Sequence, residues 1–117
     1  MSDFLDKAIM AHNLWKGRLR SALAGGALPD EEMVRRDNAC DLGKWIHGEG
    51  QRCREMLEYK AILSAHARFH QAAGDVIKLV KASKTLEAAH ELDKGEFTIA
   101  SVDVMLAIEK LRQTQVV

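Results

Sequence analysis

The stretch His66-Ala67-Arg68-Phe69-His70 lies in a long segment whose apolar residues recur at helical spacing, and it places two histidines four residues apart. On an α-helix, residues at this spacing lie one turn above each other on the same face. Their imidazole rings can therefore converge on one point. Neutral imidazole is a strong nitrogen ligand, so the pattern predicts an inward-facing helix that supplies two ligands of a metal site.

Apolar periodicity of the helical kind extends over most of the chain, while proline occurs once and aromatic residues make up only 5%. The abundant alanine, leucine, glutamate, lysine and arginine favour helix. We therefore predict an all-α fold, an antiparallel four-helix bundle with an additional short helix or helices, as a single domain over residues 1–117. Helices are expected at residues 3–23, from Pro29, around Cys40 to Ile46, in the segment that ends near Ala82, at 85–92 and at 97–112.

Composition and charge argue against several classes of partner and indicate the cellular setting. The 17 Lys and Arg residues balance 17 Asp and Glu residues, so the chain has no basic excess, and nucleic acid and anionic membranes are not expected as partners. No apolar run approaches the roughly 20 residues that cross a bilayer, and the first residues lack the pattern of a signal peptide. The 2 cysteines are too few for a disulfide scaffold, which predicts a reduced, cytoplasmic setting.

Two further candidate ligands lie outside the long helix. His12 is part of the apolar stripe of the first helix, so its ring is expected to face the core. Cys40 is expected in the first turn of a helix, where unpaired N–H groups stabilise a thiolate. Taken singly, a core histidine is more often only hydrogen-bonded, and a lone cysteine is more often a small buried apolar residue. Together with His66 and His70 they form a candidate set of four ligands.

Three imidazoles and a thiolate are a four-coordinate nitrogen and sulfur set, which suits zinc. Because the protein would fill all four positions, no position is left for a reacting water, and we expect a structural or regulatory site, not an enzyme. A metal hydrolase is also disfavoured because the chain has no His-Glu-x-x-His motif. Two alternatives stay open: a hemerythrin-like di-iron bundle, which would need inward carboxylates, and a metal-free dimerisation module.

Three sequence elements occur together in this chain: His12-x-x-Trp15 followed by Lys16, Cys40-x-Leu42-Gly43-x-Trp45 with Gly48 and Gly50, and His66-x-x-Phe69-His70. A later segment rich in alanine and leucine contains Gly95 and Ser101. With these elements the chain resembles the chemoreceptor zinc-binding (CZB) domain family over essentially its whole length. The cysteine element combined with the paired histidines is much more specific than either half alone.

This resemblance implies a zinc site whose ligands are His12, Cys40, His66 and His70. It also implies a helical, typically dimeric domain of the bacterial cytoplasm, in which zinc or an oxidant such as hypochlorous acid alters a signalling output. Members occur at the ends of soluble chemoreceptors and on diguanylate cyclases, so the expected outputs are chemotaxis or cyclic-di-GMP synthesis. Neither a chemoreceptor signalling hairpin nor a cyclase motif accompanies the pattern, which leaves a stand-alone sensor with a separate partner or an excised domain.

Several residues are expected to support the ligands. Asp37 stands three residues before Cys40, and either orients a ligand imidazole through its carboxylate or caps a helix. Trp15 and Trp45 are expected to pack around the site. We expect Cys40, and not Cys53, to be the oxidant-sensitive thiol, because the metal and the helix N-terminus both favour its thiolate.

Two expectations concern the surface. The last helix carries more apolar residues between positions 97 and 111 than a single core face needs, which predicts a homodimer. His47 and His90 lie near predicted helix ends and are expected to be exposed.

Overall fold

The chain folds as a bundle of helices. The computed structural model describes residues 2–114, so Met1 and residues 115–117 of the predicted domain lie outside the described part. No strand occurs within residues 2–114, which confirms the predicted all-α fold. The elements are α1 (Ser2–Leu23), α2 (Glu31–Arg35), α3 (Asp41–His47), a 3₁₀ helix (Glu49–Cys53), α4 (Leu57–Lys81), α5 (Thr85–Lys94) and α6 (Glu96–Gln113).

Helices α1 and α4 run in the same direction. Near their N-termini, the rings of Phe4 and Tyr59 both lie against Trp45, with centroids 6.2 and 6.4 Å from the indole. About two turns further along α1 and nearly three along α4, the ring of His12 lies 4.9 Å from the ring of Phe69. The two helices therefore stay side by side as they advance.

The chain from α5 through α6 runs the opposite way. An ion pair joins Arg20 near the end of α1 to Asp93 near the end of α5. A second ion pair joins Asp6 near the start of α1 to Arg112 near the end of α6. Two helices thus run up and two run down, as in an antiparallel bundle, and the short helices α2 and α3 are the additional elements.

The segment between α1 and α4, residues 24–56, crosses back along the bundle because the two helices that it joins are parallel. Its second half is fixed to α4 by Tyr59, whose hydroxyl donates to the carbonyl oxygen of Ile46 at 2.7 Å. Helix α3 also approaches the preceding backbone closely, since a Cβ atom at Gly43 would collide with the carbonyl oxygen of Asp37. Glycine at this position sets the path of the chain on either side of Cys40.

Helix α6 has two apolar faces. The inner face is fully buried against the rest of the bundle and consists of Phe97, Ala100, Val104, Ile108 and Leu111. The outer stripe, Ile99, Val102 and Leu106, is about half exposed, with exposed fractions of 50%, 49% and 58%. None of the helices within residues 2–114 combines the length and the apolar character that a membrane span requires.

Candidate metal centre

Four side chains that could ligate a metal meet between α1, α3 and α4. His12 comes from α1, Cys40 immediately precedes α3, and His66 and His70 lie one turn apart on α4. Their ligand atoms all lie within 4.8 Å of one another. The three histidines are buried, with at most 3% of each exposed, whereas Cys40 is half-buried. The structure therefore brings all four candidate ligands together.

The distances among Cys40, His66 and His70 are close to those around one tetrahedral ion, and His12 lies somewhat further away. The sulfur of Cys40 lies 3.2 Å from Nε2 of His66, 3.6 Å from Nε2 of His70 and 4.0 Å from Nε2 of His12. The Nε2 atoms of His66 and His70 are 3.0 Å apart. Zinc bonds of about 2.3 Å to sulfur and 2.0–2.1 Å to nitrogen would place tetrahedral ligands roughly 3.3–3.6 Å apart. Shifts of a few tenths of an ångström would bring three of these atoms to that spacing.

In two of the histidines, Nδ1 faces away from the cluster, and the hydrogen bond of this outer nitrogen fixes the tautomer of the ring. Nδ1 of His12 donates to the carbonyl oxygen of Ala8 at 2.6 Å, and Nδ1 of His70 donates to the carbonyl oxygen of Val34 at 2.8 Å. A carbonyl oxygen only accepts, so both Nδ1 atoms carry the proton and both Nε2 atoms present a lone pair. Lone pairs that face each other across about 3–4 Å repel unless a proton or a cation lies between them. Nitrogen lone pairs directed at one point, with the other ring nitrogen hydrogen-bonded to the protein, are the arrangement expected of metal ligands.

Burial keeps the three imidazoles neutral. It lowers the pKa of His66 to about 2, with smaller contributions from the neighbouring histidines. Burial also lowers the pKa of His12 and His70, partly offset by their bonds to the carbonyl oxygens of Ala8 and Val34. Neutral imidazole is the form that binds a metal, so none of these histidines has to lose a proton before a cation binds at neutral pH.

Cys40 is the N-cap of α3, and this corrects the prediction that it lies in the first helical turn. Its sulfur accepts a hydrogen bond from the backbone N–H of Gly43 at 3.3 Å. Burial nevertheless raises the pKa of the Cys40 thiol, and the backbone N–H groups at the start of α3 only oppose this shift. The N-terminus of α3 therefore does not make Cys40 a thiolate by itself, and a bound cation would favour the thiolate form.

The residues expected to support the ligands have different surroundings. The carboxylate of Asp37 lies 3.4 Å from Nε2 of the exposed His47, and Asp37 is not the N-cap of α3, since Cys40 is. Trp15 is half-buried and lines a cavity with Cys40, while Trp45 is buried between the rings of two other elements. The sequence suggested that the carboxylate of Asp37 orients a ligand imidazole. In the described residues, the backbone carbonyls of Ala8 and Val34 have this role for His12 and His70.

The remaining histidines and the second cysteine lie outside the cluster. His47 and His90 are exposed, as predicted. Cys53 is 3% exposed and closes the 3₁₀ helix. The cluster contains no aspartate or glutamate. A di-iron centre would need bridging carboxylates, so this donor set fits a single zinc and not two irons.

Sequence reasoning missed the carbonyl groups of Ala8 and Val34, because every residue has a carbonyl and its direction depends on the fold. It also missed Arg35, which lies next to Val34 and contacts α4. The only local clue was the predicted short helix that starts at Pro29, since a helix end leaves carbonyls free to accept other donors.

The fold and the cluster together define a helical metal-binding domain with a closed site of three histidines and one cysteine. The family model of the chemoreceptor zinc-binding domain matches residues 12–77, which is more than half of the chain and includes all four clustered residues. The chain belongs to this family. No curated protein and no solved structure matches the chain.

Proposed function

We propose that this domain binds one zinc ion through His12, Cys40, His66 and His70 and uses the site to regulate a bacterial signalling protein. The observation that supports this most directly is the convergence of three Nε2 atoms and one sulfur, with the protons of His12 and His70 held on the outer nitrogens. Zinc accepts this donor set in tetrahedral geometry.

A regulatory role is favoured over catalysis because the protein supplies four ligands. A catalytic zinc keeps one position for water or substrate, and its protein ligands usually number three. We therefore propose a domain that is not an enzyme and that responds to occupancy or to the state of the sulfur.

Zinc level is one proposed input. The four ligands come from α1, the segment before α3, and α4, so an ion at the centre ties together three elements that are separate in the sequence. Metal binding then contributes directly to the packing of these elements. Loss of zinc would remove the cation that joins these buried donor atoms and would loosen the segment that carries Cys40.

An oxidant is the second proposed input. Cys40 is only half-buried and borders two cavities of about 240 and 320 Å³, which would give a small reagent access to this residue. The sulfur would attack the chlorine of hypochlorous acid with departure of hydroxide, and water would then convert the sulfenyl chloride to sulfenic acid with loss of chloride and a proton. Sulfenic acid is a weaker donor than thiolate, so oxidation would weaken the hold on zinc.

The proposed output is a chemoreceptor or a diguanylate cyclase in the cytoplasm, in keeping with the family to which the chain belongs. The outer stripe of α6 would support this role by joining two copies of the domain. It is an apolar surface on an otherwise polar helix face, and monomeric proteins seldom expose such surfaces without a use. The same stripe is the observation that favours the alternative of a metal-free dimerisation module.

Metal analysis separates these functions. We expect protein purified without chelators to contain one zinc per chain by inductively coupled plasma mass spectrometry. Two irons per chain would indicate the di-iron alternative, and protein without metal that also takes up no added zinc would leave only the dimerisation module.

A further inference from the structure

The outer hydrogen bonds of His12 and His70 differ in origin. The acceptor for His12 is the carbonyl oxygen of Ala8, four residues earlier in the same helix, so this bond forms whenever α1 is helical. The acceptor for His70 is the carbonyl oxygen of Val34, which lies 36 residues away in α2. The orientation of His70 therefore depends on how α2 is held against α4.

Helix α2 cannot hold itself in place. It has 5 residues, far fewer than the roughly 12–15 that an isolated helix needs in water. Its position must come from contacts with α4. Val34 supplies one of these, since its side chain is 4% exposed and packs in the core. An ion pair between Glu31 of α2 and Lys81 of α4, 3.6 Å apart, is another. The largest set of polar contacts comes from Arg35, the residue after Val34.

The guanidinium group of Arg35 bridges α2 to α4 through several polar contacts. On α4 it donates to the carbonyl oxygen of Gln71 at 3.2 Å, to the side-chain oxygen of Gln71 at 3.0 Å and to Asp75 at 2.9 Å. On α2 it donates from Nε to Glu31 at 3.0 Å, which ties the first residue of the helix to the last. The three bonds to α4 all come from Nη1, whose two hydrogens are shared among the three acceptors, while Nε faces Glu31. A planar guanidinium can face both helices in this way, and the single ammonium group of a lysine cannot.

Gly74 provides the surface on which Arg35 lies. A Cβ atom at position 74 would collide with Cγ of Arg35 and would lie 2.8 Å from its Cζ and 2.9 Å from its Nε. Any side chain at position 74 would thus push Arg35 away from α4. The glycine and the arginine form one contact, one turn beyond His70 on α4.

We propose that Arg35 is a positioning residue for the metal centre. It holds α2 on α4 so that the carbonyl oxygen of Val34 receives the Nδ1 proton of His70, and this keeps the Nε2 lone pair of His70 directed at the metal. Arg35 itself does not touch the cluster. The proposal rests on the proposed zinc function, but its structural part concerns the tautomer of His70 and can be tested without zinc.

The first test measures zinc affinity by competition with a chromophoric chelator for the wild type, Arg35→Ala and Arg35→Lys. Loss of a ligand's hydrogen-bond partner typically lowers metal affinity 10–100-fold. Arg35→Ala keeps the carbonyl of Val34 but loosens its position, so we expect a loss of about 10-fold, at the lower end of this range. The zinc affinity of Arg35→Lys should lie between those of the wild type and Arg35→Ala, because lysine keeps the positive charge but lacks the planar guanidinium group. The matched control is Arg20→Ala, which removes the ion pair with Asp93 about 12 Å along α1 from His12 and should leave the affinity unchanged.

The second test reads the tautomers directly, with long-range ¹H–¹⁵N spectra of the histidine rings in chelator-treated protein. We expect His70 of the wild type to carry its proton on Nδ1, and Arg35→Ala to shift part of the population to Nε2. His12 should keep its Nδ1 proton in both proteins, since its acceptor lies within α1. A loss of general stability would not single out one histidine in this way.

Gly74→Ala provides an independent variant in which Arg35 is retained but displaced. We expect it to reproduce both effects, and the double variant to be no worse than Arg35→Ala alone, because the two residues act through one contact. Unchanged tautomers of His70 in both single variants would overturn the proposal. If the wild type takes up no zinc, the proposed function fails, and the tautomer measurement still decides the role of Arg35.

Discussion

The sulfur of Cys40 lies 3.2 Å from Nε2 of His66, the shortest of its distances to the three histidines. Cys40 belongs to the segment that crosses between two parallel helices, and His66 lies in the middle of the helix that follows. This contact brings the one half-buried ligand against a fully buried one. Solvent and reagents therefore reach Cys40 more easily than His66.

His70→Ala should lower zinc affinity more than about 100-fold, because removing a ligand costs more than removing an outer partner of a ligand. It should also lower the thermal stability of zinc-loaded protein, since binding energy contributes to folding. Competition with a chelating dye and thermal melting would measure both effects. His90→Ala replaces an exposed histidine outside the cluster and should change neither. Equal affinities of the two variants would remove His70 from the ligand set.

Cys40 should be oxidised before Cys53 when zinc-loaded protein is treated with hypochlorous acid. Cys40 borders two cavities, whereas Cys53 is 3% exposed. Zinc shares the charge of the thiolate, so bulky alkylating reagents should react slowly while the small oxidant reacts fast. A chelating dye would follow zinc release, and mass spectrometry would locate the modified cysteine. Cys53→Ser is the control and should release zinc as the wild type does; if it does not, the redox assignment is wrong.

Protein stripped of metal should lose stability as the pH falls below about 6.5. The unfolded chain takes up protons on its histidines near this value, but burial lowers the pKa of His12, His66 and His70 in the folded chain, to about 2 for His66. The unfolded state then binds more protons, so the stability present above pH 6.5 is lost as the pH drops toward the folded values. Each buried histidine should cost roughly 1 kcal/mol per pH unit in this range.

Urea unfolding in the presence of a chelator, at pH 7.5 and pH 5.5, would measure this loss. His90→Gln should show the same pH dependence as the wild type, because the exposed ring is not part of the cluster. A midpoint that stays constant between the two pH values would mean that the three rings are not buried as neutral groups.

Leu106→Glu should convert a dimer to a monomer if the outer stripe of α6 joins two copies. Light scattering at micromolar concentration should give twice the mass of one chain for the wild type, because a half-exposed apolar stripe is covered when two copies pair. Leu86→Glu is a matched control, since Leu86 is 88% exposed on α5 and lies outside the stripe. A monomeric wild type would contradict the dimer, and an equal effect of both variants would place the interface elsewhere.

The helical fold and the candidate ligands could be predicted from the sequence because both depend on local spacing. The pair His66 and His70 is visible at a spacing of four, and the apolar stripe of α1 shows that His12 faces inward. The N-cap position of Cys40 was missed by one residue, which is the usual uncertainty of a helix boundary. Spacing indicates which face a residue occupies, but not where the chain turns.

The supporting contacts could not be predicted, because they join residues that are distant in the sequence. Asp37 looked like a partner for a ligand on proximity along the chain, yet its carboxylate lies against His47. The carbonyl of Val34 reaches His70 because α2 packs on α4 at that level, where Arg35 lies against Gly74. No residue type marks such a packing contact in advance.

The parallel direction of α1 and α4 determines where the fourth ligand can come from. Two parallel helices cannot be joined by a tight turn, so the connecting segment, residues 24–56, has to run back along the bundle. Cys40 lies halfway along this segment and is the residue that brings a sulfur to the three histidines. If one helix were reversed and the segment replaced by a short hairpin, the sulfur would be gone, and the fourth coordination position would be open to water.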